Sequence, residues 1–331
     1  MTRHTIDVLG IGNAIVDVIA RVDDAFVAKH GLTPGSMNLI DEARAEQLYA
    51  VMGPAIQTSG GSAANTIFGV GSFGGRAAYI GKVKKDLLGG IFEHDMKAIG
   101  VRFETPKADS GPATARCFIL VTPDGERTMN TYLGACVNLG PDDIDQALVE
   151  ASAVTYMEGY LWDKPQAMAA FKKAATIARA AERKVAITLS DSFCVHRHRD
   201  SFLDLIRASI DIVFANESEV KALYQTEDFD QALQQLRRDC PVAVVTRSEA
   251  GSVVTRGAEV HVIEAHPVAA VVDATGAGDL YAAGFLYGFT RGLSLSASAR
   301  LASLAAAEVI SHIGPRPEVR LEDHARKAGL L

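Results

Sequence analysis

Cysteine is scarce. The chain has four in 331 residues (Cys117, Cys136, Cys194 and Cys240), with no C-x-x-C pair. That scatter argues against a disulfide framework or a zinc ribbon, and fits reduced, mostly buried thiols in a cytoplasmic protein. No apolar run is long enough to span a bilayer, and the opening "MTRHTIDVLGIGN" is broken by Asp7, so neither a membrane span nor a signal peptide is expected. Blocks of like charge are also missing. With 33 Lys+Arg against 40 Asp+Glu and a net charge of −7, neither a nucleic-acid groove nor a polybasic membrane face is expected. There is no internal repeat, no low-complexity tract, no H-E-x-x-H and no G-x-S-x-G.

What is present is the composition of a globular protein, 48% hydrophobic and 22% charged, long enough for one large α/β domain or a domain with a small appendage. Six apolar, β-branched runs read as buried strands: residues 6–12, 77–83, 153–159, 184–190, 211–216 and 242–247. Amphipathic segments such as 163–182 and 228–240 lie between them. Continuous apolar strands separated by helices predict a parallel sheet covered on both faces, with ligands at the carboxyl ends of its strands. One region breaks the alternation. Residues 113–133 hold two strand-like runs joined by Pro123-Asp124-Gly125, a hairpin signal. With residues 16–41, also short of long helix, it predicts a small β-rich flap over one edge of the main sheet.

Three motifs fail on inspection. "GIGNAI" (10–15) has G-x-G after a strand, but Ile15 replaces the third small residue and Asp17 comes too early for the ribose acid expected about 20 residues on. "GRAAYIGKV" (75–83) has a glycine spacing one residue too long for a P-loop, and Val83 stands where Ser or Thr is needed. "HRHRD" (196–200) reads as a solvated face rather than a metal site.

"DATGAGD" (273–279) is different, because two carboxylates flank residues with almost no side chain just before the apolar stretch "LYAAGFLYGF". It reads equally as a glycine turn with Asp279 in the first helical turn, or as backbone N–H groups bared for a phosphate with a carboxylate beside them. "GGSAAN" (60–65) taken alone is a turn with an N-cap, and "NESE" (216–219) alone is a capping box. Together, in this order, the three form a set.

That set resembles the ribokinase-like (PfkB) family of carbohydrate and nucleoside kinases over nearly the whole chain. The resemblance implies a three-layer αβα sandwich with a mainly parallel sheet, forming a single domain over residues 1–331 with a small β-rich lid from roughly 13–42 and 110–135. It implies that Asp279 is the general base for a substrate hydroxyl and that the backbone of Gly276, Ala277 and Gly278 is an anion hole, with Arg127 near the transferring phosphate. For the nucleotide it implies Asn216, Thr246, Gly251, Gly278 and Ser303. Asn216 and Glu219 would organise magnesium through water, and Asp273 and Thr275 would hold a monovalent cation such as potassium. The chain departs from the family pattern at Ala274, at Ser248 (where the nucleotide loop usually has glycine) and at Lys84.

The acceptor end resembles the adenosine-phosphorylating members. Asn13, Asp17, Gly61 and Asn65 match positions that hold ribose hydroxyls, a task suited to carboxylate and carboxamide groups. Met129, Thr131, Leu133 and Phe193 match positions near the purine, with plain core packing as the alternative for Met129 and Phe193. The resemblance therefore implies transfer of the γ-phosphoryl group of ATP to the 5′-hydroxyl of adenosine. The alternatives are a sugar kinase of the same family, a dinucleotide-dependent oxidoreductase and a non-catalytic nucleoside-binding protein. A monomer is expected, because the flap lacks a long, flat, apolar edge strand, with a dimer as the alternative.

Overall fold

The structure is a computed structural model that describes residues 4–331. In its first half the strands are Ile6–Ile11 (β1), Ile15–Arg21 (β2), Met37–Leu39 (β3), Ile56–Gly60 (β4), Ala77–Ile80 (β5), Arg102–Phe103 (β6), Ala115–Val121 (β7) and Arg127–Tyr132 (β8). The rest are Ser152–Glu158 (β9), Lys184–Thr188 (β10), Ile212–Asn216 (β11), Val242–Thr246 (β12), Ser252–Arg256 (β13) and Glu259–Ile263 (β14).

The six apolar runs become β1, β5, β9, β10, β11 and β12, all in one nine-stranded sheet ordered β14-β13-β12-β11-β10-β9-β1-β5-β6. Pairing is parallel from β6 to β12, and β13 and β14 add an antiparallel edge. Strand β1 lies within the parallel part, between β9 and β5, with Val8 opposite both Ala77 and Val154. Strict alternation sends its side chains into two cores. Val8 packs with helices Ser62–Ser72, Ala277–Thr290 and Leu295–Val309, while Leu9 and Ile11 pack on the other face with Pro165–Ala180 and Ser192–Ser209. Neither face meets water, which is why these strands carry no polar alternation.

A second sheet has five strands in the order β3-β8-β7-β2-β4. Strands β7 and β8 are the expected hairpin, with Arg116 opposite Tyr132 and Val121 opposite Arg127. In its turn Asp124 Oδ1 accepts from the Thr122 hydroxyl at 2.6 Å and from the Glu126 N–H at 3.1 Å. Strand β4 joins this sheet from outside the two segments where a flap was expected. The chain crosses between the sheets four times, and two of the crossings begin with very short links. Residues 12–14 lead from β1 into β2, and Gly61 leads from β4 into the Ser62–Ser72 helix. Both links carry predicted site residues.

All four cysteines are free and buried. Among the described residues, no helix is long and apolar enough to cross a membrane.

Candidate active site

Helix Ala277–Thr290 starts at Gly276, whose φ of 82° lies in the left-handed region. The first N–H groups of a helix have no intrahelical acceptor. Ala277 turns its own back to the Ala274 carbonyl at 3.2 Å, and among the described residues those of Gly278 and Asp279 have no acceptor. A side chain on Gly278 would stand in open space. The small residues thus leave bare, helix-polarised N–H groups at the surface of a pocket, with the Asp279 carboxylate one residue on.

That carboxylate is held in place. Ser62 Oγ donates to Oδ1 at 2.6 Å, and Asn65 Nδ2 donates to Oδ2 at 2.9 Å. Thr66 Oγ1 donates to the Asp279 carbonyl at 3.1 Å. Burial pushes the Asp279 carboxyl up to about 6, while the Ser62 and Asn65 hydrogen bonds and the Arg316 charge pull it down. It is ionised at neutral pH with enough basicity to take a proton. The other side of Asn65 is equally telling: its Oδ1 is buried and has no donor.

The helix that supplies Ser62 and Asn65 has an unusual start. Its N-cap is Gly61, with φ of 97° and no capping side chain. A Cβ at Gly61 would stand 2.3 Å from the Asn13 carbonyl oxygen, so no other residue fits without moving that loop. Glu158, at the end of β9, supplies the missing cap by accepting from the Ala63 N–H at 2.9 Å. The same carboxylate accepts from Asn13 Nδ2 at 2.6 Å and from the Asn13 N–H at 3.2 Å. Tyr79 closes the group by donating to the Asn13 carbonyl at 2.9 Å. Burial pushes the Glu158 carboxyl to about 7, against these hydrogen bonds.

Asp17 reaches the pocket from β2. It is 6% exposed, and among the described residues no group donates to its carboxylate. Gly60 makes room for it, since a Cβ there would stand 2.2 Å from Asp17 Oδ2. Burial pushes this carboxyl to about 7, with Arg316 and Arg127 opposing and Asp279 adding to the rise. The structure therefore brings together Asn13, Asp17, Gly61, Asn65, Asp279 and the bare N–H groups.

Other predicted residues stand as follows. Arg127 Nη2 lies 2.5 Å from Asp273 Oδ2, and its Nη1 donates to Thr275 Oγ1 at 3.3 Å. Asp273 also accepts from the Thr275 N–H at 3.0 Å and the Gly314 N–H at 2.9 Å. Both Asp273 oxygens are engaged, and the Arg127 guanidinium lies beside the residues expected to hold a monovalent cation, Asp273 and Thr275. Asn216 and Glu219 form a complete capping box, the Glu219 carboxylate accepting from Asn216 N at 3.0 Å and Nδ2 at 2.7 Å. Among the described residues, no group of three His, Cys, Asp or Glu side chains could hold a metal.

In the nucleotide loop, Thr246 ends β12 and Ser248 takes φ of 50°, the left-handed conformation that glycine adopts freely. The departure from glycine therefore keeps the turn. A Cβ at Gly251 would stand 2.0 Å from the Ile263 carbonyl oxygen. The Ser303 hydroxyl is used within the chain: it accepts from the His266 N–H at 2.8 Å and donates to the Glu264 carbonyl at 3.2 Å. It shapes the segment after β14 rather than presenting a free group. Met129 and Leu133 are half-buried, and the Thr131 hydroxyl donates to Cys117 Sγ at 3.2 Å. Phe193 is 73% exposed, which removes core packing as its explanation.

Three residues escaped sequence reasoning: Glu158, Tyr79 and Arg316. Glu158 had a usable signal, as a lone acid at the carboxyl end of an apolar parallel strand. Tyr79 and Arg316 had none.

The sequence pattern of the pfkB family carbohydrate kinases matches residues 35–320. Over 98% of this chain and 99% of the other, the fold superimposes on the crystal structure of adenosine kinase from Sinorhizobium meliloti, with a TM-score of 0.92 and 60% identity. A probable sugar kinase protein from Rhizobium etli CFN 42 superimposes over 100% of both chains, with a TM-score of 0.93 and 53% identity. Adenosine kinase of Saccharomyces cerevisiae is 27% identical over 92% of this chain and 95% of its own length.

Proposed function

The chain belongs to the pfkB family of carbohydrate kinases and is a phosphotransferase acting on a hydroxyl group; from that premise we propose that it moves the γ-phosphoryl group of ATP to the 5′-hydroxyl of adenosine. The observation that carries the acceptor reading is Asn65 Oδ1, buried with no donor, together with the Asp17 carboxylate, to which no group donates among the described residues, both near Asp279. Buried acceptors are costly unless something donates to them. The 2′- and 3′-hydroxyls of a ribose are donors of the right kind. The 60% identity with an adenosine kinase supports a purine nucleoside, as does an exposed Phe193 free to stack on a base.

In this reading the 5′-hydroxyl lies between Asp279 and the N–H groups of Gly278 and Asp279. Its proton passes to the Asp279 carboxylate as its oxygen forms a bond to the γ-phosphorus. The bond from that phosphorus to the β–γ bridging oxygen breaks, and ADP departs with the electron pair. The bare N–H groups take up charge on the phosphoryl oxygens. Arg127 is placed to add a guanidinium there once it releases Asp273. Ser62 and Asn65 aim the base, and Glu158 holds the helix that carries both. Magnesium would arrive with the phosphates of ATP, where it neutralises their charge, and Asn216 and Glu219 would meet it through its waters. The five-stranded sheet, which carries Asp17 and Arg127, would act as the lid.

The test is kcat/KM for adenosine, 2′-deoxyadenosine, ribose and fructose under one set of conditions. Adenosine is expected to lead, and deoxyadenosine to fall well behind because it leaves a buried acceptor unpaired. If ribose or fructose matched adenosine, the nucleoside reading would fall and a sugar acceptor would replace it.

A further inference from the structure

Arg316 sits in the segment "GPRP" after the last core helix, where no motif draws the eye. Its guanidinium carbon lies 4.2 Å from the centroid of the Phe68 ring. Nε donates to the Ser59 carbonyl at 3.1 Å, just before the Gly60-Gly61 link. Nη1 and Nη2 approach only the thioether of Met96, at 3.9 and 4.0 Å. Among the described residues no carboxylate lies within 4 Å of it, unlike Arg127 with its ion pair to Asp273. A guanidinium fixed by an aromatic face and one carbonyl, with two amino groups left over, is not explained by local pairing. Geometry places it at the site: Ser59 adjoins Gly60, where a Cβ would stand 2.2 Å from Asp17 Oδ2, and Phe68 lies on the helix whose Ser62 and Asn65 hold Asp279. The acids in its field are Asp17, Asp95 and Asp279.

We propose that Arg316 is a positioning residue of the phosphoryl transfer: from its seat on Phe68 it supplies the positive charge that lets Asp17 and Asp279 both be anionic in one buried pocket. Two carboxylates sharing such a pocket oppose each other's ionisation. The groups facing Asp279 make this worse, since Asp17 from β2, Glu158 from β9 and Glu219 after β11 are all acids. The phenols Tyr79, Tyr156 and Tyr160 also face it and bring no positive charge. Arg316 is the charge that pulls Asp279 down, and it leads Arg127 in pulling down Asp17. Burial lowers Arg316 itself only to about 10, so it stays charged at neutral pH. Phe68 and Met96 keep water from screening it.

This inference rests on the reading of Asp279 as the base, so the experiment separates the two. The acid limb of kcat/KM against pH is measured for wild type, Arg316→Met and Arg316→Lys. In Arg316→Met the limb is expected to move up by about one pH unit, so that activity at pH 6 falls about fivefold while most returns by pH 9. Arg316→Lys keeps the charge and should leave the limb near its wild-type place. A rate that falls equally at every pH, with the limb unmoved, would reduce Arg316 to a structural tether and overturn the proposal. If Arg316→Met does not fold, Arg316→Gln, which keeps a donor for the Ser59 carbonyl, gives the same reading. Titration of ¹³C-labelled aspartate carboxyls in the unliganded protein needs no turnover. There, resonances of Asp17 and Asp279 that titrate at higher pH without Arg316 support the proposal even if Asp279→Asn proves active, and unmoved titrations refute it.

Discussion

Asp17→Asn tests whether the pocket is kept ionisable at a cost to stability. Burial raises the Asp17 carboxyl from 3.8 to about 7. A raised carboxyl in the folded state binds its proton more tightly than in the unfolded chain. Stability is therefore greatest at low pH and is lost as pH rises from about 4 through about 7. At pH 8 the loss from this one group is roughly 4 kcal/mol, since each tenfold change in proton affinity is worth about 1.4 kcal/mol. Asparagine has the same shape and never carries the charge. Melting followed by dye fluorescence should place Asp17→Asn above wild type at pH 8, by at most about 8 °C for a chain this long. At pH 5, where wild-type Asp17 is protonated, the two proteins should converge. Glu158 and Glu219, both raised to about 7, push in the same direction but are common to both proteins, so the difference isolates Asp17. The variant should meanwhile lose about 10- to 100-fold in kcat/KM for the nucleoside, the worth of one charge-assisted hydrogen bond. A variant no more stable at pH 8, or a gap that does not change with pH, would refute the reasoning.

Asp279→Asn keeps the hydrogen-bonding shape next to Ser62 and Asn65 but cannot take the proton, so turnover should drop roughly 10²- to 10⁴-fold with the fold intact. Single-turnover rates check this, and a near-wild-type rate would remove Asp279 as the base. Exchanging potassium for a bulky organic cation at constant ionic strength should lower the rate, because Arg127 leaves Asp273 for the phosphate and a cation beside Asp273 and Thr275 would take over its charge. A flat response would show that Arg127 keeps Asp273 throughout turnover.

The large sheet was legible because it is buried on both faces. Runs such as Val185-Ala186-Ile187 feed one core and then the other, leaving no polar alternation to confuse the period. The hairpin was legible through its Pro-Asp-Gly turn. Strand β4, "IQTSG", was not, since its pairing with β2 is imposed by the links on either side rather than by its own composition. In the site, Asp279 announced itself by the small residues before it, and Asn216-Glu219 by cap spacing alone. Glu158 and Arg316 act on groups far away in the chain. Glu158 caps its helix through Ala63, 95 residues earlier, and no local spacing encodes such a contact. The ion pair of Asp273 with Arg127 was not legible either, because Arg127 lies on a strand of the other sheet.

The two sheets also divide the labour of change over evolutionary time. The proposed base and the bare N–H groups belong to a helix packed on the large sheet, and Asp17, proposed to meet the sugar, belongs to the small one. Two of the crossings between the sheets run through links of only a few residues, at 12–14 and 60–61. Substitutions along β2 and β7 can therefore reshape the acceptor pocket while leaving the helix that carries Asp279 untouched. A lineage of such chains can explore new alcohols by drift in short strands, provided that the base, its N–H neighbours, Arg127 and the linking residues are kept.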